Sequence, residues 1–382
     1  MNYYKILMKT KMKPFVKWAG GKEREYKFFC KYIPKHINNY IEPFVGGGAV
    51  YFALLESDID GKRYINDFST ELYKLYSFIK KQNAEFLNEL DAINENILLM
   101  KNYANNTFEF FKTCYKELLE SNNCNDIILE INKKLFYEGT HLIEHLDIYD
   151  DVFEEEIKKC INIKLKKAVK LKNNENEIKD ENLYVLYETS LLMSLYNTIR
   201  FAYNNIKQNT PYKIAYFLYI REYCYSSMFR YNPDGNFNVP YGGMSYNTKN
   251  FSRVIEYIKS KDLIDYLKHT TIKNEDFEAF LNNINIQNDD FIFLDPPYDS
   301  EFSEYAQNEF NKNDHIRLAD WLKNTNANIM VVIKNTEFIY KIYSERGFNI
   351  CKFEKKYSVN FQNRNIREAE HLIITNYNFE DE

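Results

Sequence analysis

The stretch Phe291-Ile-Phe-Leu-Asp295-Pro296-Pro297-Tyr298 constrains this chain more than any other. Four apolar residues predict a buried strand, and two prolines, which fix φ and lack an N–H, must end it abruptly. A loop therefore leaves a sheet at Asp295. In an open α/β sheet ligands bind beyond the carboxyl ends of the strands, so this loop offers a carboxylate, backbone carbonyls and an aromatic face in one place. With two proline nitrogens unable to donate, the loop is rich in acceptors and poor in donors. That chemistry suits an amino group. The bland alternative is a strand closed by a tight Pro-Pro turn, and the choice rests on the other segments.

Near the start, Lys13-Pro-Phe-Val-Lys17-Trp18-Ala19-Gly20-Gly21-Lys22 reads as a loop before a polar helical segment. Gly20 and Gly21 let backbone approach a ligand, Trp18 can cover an aromatic ring or a cation, and Lys22 can meet a carboxylate. Tyr40-Ile-Glu42-Pro43-Phe44-Val45-Gly46-Gly47-Gly48-Ala49-Val50-Tyr51-Phe52 reads as a short strand, a glycine loop and the start of an apolar helix. The loop shares the logic of a dinucleotide fingerprint without its full spacing, and no Gly-Lys-Ser/Thr follows it. A nucleoside-containing ligand without a triphosphate fits best. Arg63-Tyr-Ile65-Asn66-Asp67 predicts a second strand ending in an acid about 20 residues beyond the glycines, where a carboxylate can accept both ribose hydroxyls.

The last third has α/β rhythm. A strand from His269 ends in Asp276-Phe277, a polar and aromatic pair able to bracket an adenine ring. Phe291–Leu294, a strand over 327–335 and a final pair over 349–357 and 370–377 bring the count to about seven strands, mostly with crossover helices. The loop between the final pair holds the basic cluster Arg364, Asn365 and Arg367. A discontinuous catalytic domain over 1–80 and 255–382, interrupted by a helical insert and recognition region over 81–254, accounts for 382 residues better than one undivided domain.

From about 80 to 185 the chain is rich in Lys, Glu and Asn with helical apolar spacing. Within it His141-Leu-Ile-Glu144-His145 matches an inverted zincin pattern. With no third ligand motif nearby, the reading is a charged helix face and no metal. Residues 218–242 then place an aromatic helix before Tyr225-Ser226-Ser227-Met228-Phe229-Arg230-Tyr231-Asn232, a Pro-Asp-Gly turn and an Asn-rich segment to Pro240. Arginine can read guanine bidentately, asparagine can read adenine, and exposed aromatics can wedge between bases.

The formal charge of -5 gives no global argument for nucleic acid, which requires a local basic surface. Aromatics reach 17%, yet Lys, Asn and Ile are abundant too, as AT-rich coding produces, so composition alone does not argue for base stacking. Six scattered cysteines without a C-x-x-C pair favour free thiols in a reducing compartment, and no apolar stretch is long enough to span a membrane. The expectation is a cytoplasmic protein without a membrane partner.

Taken in order, Lys17-Trp-Ala-Gly-Gly-Lys22, Glu42-Pro-Phe-Val-Gly-Gly-Gly48, Asp67, Arg230-Tyr-Asn with Phe237-Asn-Val-Pro-Tyr-Gly242, and Asp295-Pro-Pro-Tyr298 resemble the D12-class, Dam-like DNA adenine N6-methyltransferases. The resemblance covers roughly 13–75 and 215–377. It implies a Rossmann-like seven-stranded α/β sheet with an inserted helical target-recognition domain, and S-adenosyl-L-methionine as methyl donor. It implies a cofactor site of Trp18, Ala19, Gly20, Gly21, Lys22, Phe44, Gly46, Gly48, Asp67, Asp276, Phe277 and Asp295. Asp295, Pro296, Pro297 and Tyr298 would carry catalysis on a flipped adenine in double-stranded DNA. Lys17, Tyr225, Met228, Arg230, Asn232 and Pro240, with Arg364 and Arg367, would contact DNA, and a cognate restriction endonuclease is a partner compatible with the family. Where the family has Tyr-Asn-Gly ahead of its recognition arginine, this chain has Tyr225-Ser226-Ser227; Arg230 and Pro240 are kept, which suggests a GATC-like site. A same-fold transferase acting on cytosine N4 or another amine, and a non-catalytic DNA-binding homologue, are the competing readings.

Overall fold

The computed structural model describes residues 12–18, 20–54, 59–120, 150–174, 178–298, 310–356 and 368–379. The chain divides into two compact units, one of residues 1–81 with 260–382 and one of residues 82–259.

The first unit is built on a seven-stranded sheet: β1 (Tyr40–Glu42), β2 (Arg63–Asn66), β3 (Thr270–Lys273), β4 (Phe291–Leu294), β5 (Asn328–Lys334), β6 (Asn349–Lys356) and β7 (Glu368–Thr375), in the order β3-β2-β1-β4-β5-β7-β6. The first five are parallel and β7 runs antiparallel to both neighbours. The reversed strand therefore lies inside the final hairpin, second from the edge, and β6 forms the edge itself. All four residues of β4 and Ile329–Ile333 of β5 are buried, as central strands covered on both faces must be. Helix Thr70–Lys81 turns Leu72, Leu75, Tyr76 and Ile79 inward, the i, i+3, i+4, i+7 spacing of one helical face.

Two seams fix the register of the central strands. At their amino ends the buried Asp290 accepts from Asn38 Nδ2 at 2.8 Å, Asn39 N at 2.9 Å and Gln287 N at 2.9 Å. At the carboxyl ends Asn66 donates to the carbonyls of Pro43 at 3.1 Å and Glu275 at 3.0 Å and accepts from Glu275 N at 2.9 Å. One side chain thus ties together the loops that follow β1, β2 and β3, satisfying backbone groups that a strand end leaves open. The apolar helix expected after Gly48 is instead a run of turns closed by Phe52 N to Gly48 O at 2.9 Å and Leu54 N to Val50 O at 3.2 Å.

The second unit is helical. Asp180–Asn205 is its central helix, packed by Ala84–Glu120, Asp150–Asn174 and Pro211–Tyr223. Helices on several sides leave it no solvent face over much of its length, so its buried hydroxyls bond back to carbonyls one turn earlier: Ser190 to Tyr187 O, Ser194 to Ser190 O and Thr198 to Ser194 O, at 2.6, 2.8 and 3.0 Å. Among the described residues no helix is long and apolar enough to cross a membrane, and no group of three His, Cys, Asp or Glu is placed to hold a metal ion. His141, Glu144 and His145 lie outside the described residues.

Candidate active site

β1 is the point where the sheet order reverses: the chain runs from it toward β2 and β3 on one side, and β4 lies on the other. Parallel pairing of Tyr40 with Phe291 and Ile41 with Ile292 makes the glycine loop and the acidic loop leave the same edge side by side. This is the crevice where doubly wound sheets bind ligands.

At its centre Lys22 donates to Asp295 Oδ1 in an ion pair, to the Gly20 carbonyl at 3.2 Å and to Tyr298 Oη at 3.4 Å, with its Nζ 5.4 Å from the Tyr298 ring centroid. Lys22 is 2% exposed and the Asp295 side chain 19%. The ammonium thus fixes the carboxylate and the aromatic ring of the acidic loop at once. On its other side Tyr298 Oη lies 3.4 Å from Nε2 of the buried His371 on β7. Pro296 is buried and Pro297 exposed, so the first proline anchors the loop and the second faces outward.

The glycine loop is crowded by the protein itself. A Cβ at Gly46 would stand 2.8 Å from Trp18 Cδ1, one at Gly47 would stand 2.9 Å from the Val16 carbonyl, and one at Gly48 would stand 2.5 Å from Tyr76 Oη. The sequence marks the loop as a place of close approach, and at these three positions Trp18, Val16 and Tyr76 take the space that a side chain would need. Gly20 differs, having φ +81° and nothing within 4 Å of a Cβ. Asp67 braces the loop, accepting from Gly46 N and Ser69 N, both at 2.9 Å. Burial raises its carboxyl to about 6, although those two donors act the other way. Beneath, Glu42 accepts from Tyr40 Oη at 2.8 Å. Burial pushes Glu42 well above the carboxylate range, the Tyr40 bond opposes this, and the charges of Asp295 and Asp67 push it further.

Asp276 caps helix Phe277–Asn282, accepting from Glu278 N at 3.0 Å, and its two oxygens take a fork from Arg317 Nη1 and Nη2, both at 2.8 Å. Arg317 also meets Glu278 and Asp314 and lies 4.3 Å over the Phe277 ring. Phe277 in turn packs against Phe44 and Phe310, each at 5.7 Å. Neither Arg317 nor His371 carries a motif, and nothing in the sequence distinguishes them from other polar residues on an amphipathic helix and a strand. A separate groove of about 800 Å³, lined in part by Leu281, Ile316 and Trp321, includes Arg317 but neither Asp295 nor the glycine loop, so it is not the reaction centre.

These residues fit a nucleoside. The carboxyl edge of three adjacent strands supplies two carboxylates able to accept from a ribose and an adenine amino group, and two aromatic rings. Of the residues expected to meet DNA, Lys17 is exposed in the first unit, while Tyr225, Met228, Arg230, Asn232 and Pro240 lie on one loop of the second. Arg230 donates through Nε to Asn238 Oδ1 at 2.7 Å and through Nη2 to the Asn238 carbonyl at 3.2 Å. Asn232 builds its own turn, accepting from Asn236 N at 2.8 Å and donating to Asp234 at 3.3 Å. Ala19, Arg364 and Arg367 lie outside the described residues.

The sheet order, with its single reversed strand, and the acceptor-rich loop at the switch point define a methyltransferase of the Rossmann-like class. The chain matches the family model of the D12 class N6 adenine-specific DNA methyltransferases over residues 18–359 and belongs to that family. It is similar to the type II methyltransferase M.CviBI of Paramecium bursaria Chlorella virus NC1A, at 27% identity over 96% of this chain and 100% of the relative. Type II methyltransferase M.MjaIII of Methanocaldococcus jannaschii is 26% identical over 96% of this chain and 99% of its own. A DNA adenine methylase of Haemophilus influenzae is 24% identical over 93% and 91%. The activity is methyl transfer to adenine in DNA.

Proposed function

We propose that the protein transfers a methyl group from S-adenosyl-L-methionine to N6 of an adenine flipped out of double-stranded DNA. The observation that carries this reading is the Lys22 and Asp295 ion pair at the switch point, which fixes an anionic acceptor beside the glycine loop. Trp18, Phe44, the glycine loop, Asp67, Asp276 and Phe277 would hold the cofactor, which supplies an electrophilic sulfonium methyl. Asp67 and Asp276 accept from its ribose and adenine, and the rings of Phe44 and Phe277 cover the base.

An adenine in a duplex hides its amino group, so the target must leave the stack, and Tyr298 offers it a replacement face. The N6 lone pair is delocalised into the ring and is a poor nucleophile. Asp295 and the Pro296 carbonyl, each accepting one amino hydrogen, favour a tetrahedral nitrogen whose lone pair points outward, the geometry of the transition state. Lys22 holds the carboxylate in place, so little reorganisation is needed during transfer. Alignment of nitrogen and methyl within about 3 to 3.5 Å contributes much of the remaining acceleration.

Residues 82–259 we assign to target recognition. With two of its five N–H groups on Asn238, Arg230 keeps three for a guanine edge, which supports a GATC-like site. Sequencing modified bases in a host that expresses the chain tests both substrate and site. N6-methyladenine in one recurring motif is expected; modified cytosine, or no modification from a protein that binds the cofactor, would overturn the reading.

A further inference from the structure

The turn ahead of Arg230 has a backbone that its sequence does not favour. Ser226 and Ser227 both have φ of 52°, in the left-handed region where a Cβ crowds the carbonyl and glycine or asparagine is the usual occupant. Two serines in succession there require a hold from outside. Arg221 supplies one. It is 1% exposed, and its Nη1 donates to the Met228 carbonyl at 2.5 Å and its Nη2 to the Ser227 carbonyl at 3.1 Å. Its Cζ lies 4.6 Å from the centroid of the Phe229 ring. Tyr246 supplies a second hold: its Oη accepts from Ser226 N at 3.1 Å, and its ring fills the space that a side chain at Gly242 would need. Tyr225 N donates to the Pro240 carbonyl at 2.8 Å, which ties the turn to the far end of the loop. Held in this way are Tyr225, half-buried, and Ser226 and Met228, exposed.

We infer that Arg221 is a positioning residue for sequence discrimination. By gripping the Ser227 and Met228 carbonyls it keeps the turn left-handed, and so sets where Tyr225 and Met228 meet the base pairs next to the one read by Arg230. This rests on the reading of residues 225–240 as the DNA-reading loop. Arginine is required because only a planar fork can bond two successive carbonyls while stacking on a ring, which a lysine point charge cannot do.

The test uses the full chain and two duplexes, one with the site that modified-base sequencing gives for the parent enzyme and one altered at a flanking base pair. The ratio of their initial methylation rates is the readout. Arg221→Lys is expected to lower that ratio roughly tenfold, as loss of a charge-assisted bond does. Adding Ser226→Asn and Ser227→Gly, which favour positive φ without outside help, is expected to restore it. Should Arg221→Lys fail to fold, Tyr246→Phe removes the other hold and is expected to lower the ratio in the same direction. An unchanged ratio in the folded variant, or a lowered one that the Asn-Gly change does not restore, overturns the proposal. Arg230→Ala, scored on a third duplex altered at a guanine of the site, separates the two levels. If it leaves discrimination at every guanine of the site unchanged, the loop does not read DNA at all; if it abolishes discrimination at one of them while Arg221→Lys leaves the flanking ratio unchanged, only the role given to Arg221 fails.

Discussion

Lys22 and Asp295 are 273 residues apart in the chain and share an ion pair at the switch point of the sheet. The pairing follows from topology, since β1 and β4 are parallel neighbours and the loop that leaves β4 carries Asp295 to the segment that holds Lys22. Asp295→Ala is expected to reduce methyl transfer by at least about a hundredfold, as removal of a preorganised partner of the transition state does. DNA binding measured by gel shift is expected to survive. Lys22→Met leaves a mostly buried carboxylate without its ammonium and should cost about 2 to 3 kcal/mol in urea unfolding, less than a fully buried pair because Asp295 keeps some water. Normal turnover by Asp295→Ala would remove the acidic loop from the mechanism.

Asp67 gives the protein a pH dependence in the mildly acidic range. Burial raises its carboxyl to about 6, so between the ordinary aspartate value near about 3.9 and that point the folded protein keeps a proton that the unfolded chain has lost. Its contribution to stability therefore falls as pH rises through this window. Cofactor affinity moves the other way, because only the ionised carboxylate accepts from both ribose hydroxyls. Titration of S-adenosyl-L-methionine from about pH 5 to about pH 8 should show binding strengthening through about 6, and Asp67→Asn should bind more weakly with no such step. A step of the same size in Asp67→Asn would assign it to another group.

The sequence made the reactive loop legible because its signals were local. A continuous apolar run at Phe291–Leu294 followed by two prolines admits few backbones, and its partner strand at Tyr40–Glu42 is marked by the glycines that follow. What stayed hidden depends on residues brought in from a distance. Arg317 reaches Asp276 from a helix 41 positions away, and no pattern along that helix sets it apart. The packing around the three glycines was hidden for the same reason: spacing shows that something comes close, but not that Trp18 and Tyr76 are among the groups that do. The turns after Gly48 replace the expected helix where Gly48 has φ of 77° and is itself packed closely by Tyr76 and Phe52.

That crowding separates two glycines whose sequence context looks alike. At Gly48, alanine would meet both a φ of 77° and atoms 2.5 and 2.9 Å away, so strain and overpacking should together cost about 3 kcal/mol. At Gly20, alanine would meet only the φ of 81° and should cost about 1 kcal/mol. Urea unfolding of the two variants checks the difference. Equal losses would mean that the loop relaxes away from Tyr76 and Phe52.

Arg317 makes the last contrast. The fork from its guanidinium holds the Asp276 carboxyl below the ordinary aspartate range, with burial acting against it. It also fixes both oxygens of a side chain proposed to accept from the cofactor's adenine, and covers the Phe277 ring. Both side chains are more than a third exposed, so the pair contributes little to global stability, and the consequence of losing it is one of orientation. Arg317→Met, which keeps the apolar stem over Phe277, is expected to raise KM for S-adenosyl-L-methionine roughly tenfold while kcat changes less than about twofold, the pattern of a lost binding contact. Arg317→Lys restores the charge but not the fork and should fall between the two. A fall in kcat with KM unchanged would place Arg317 on the side of the transferring methyl instead.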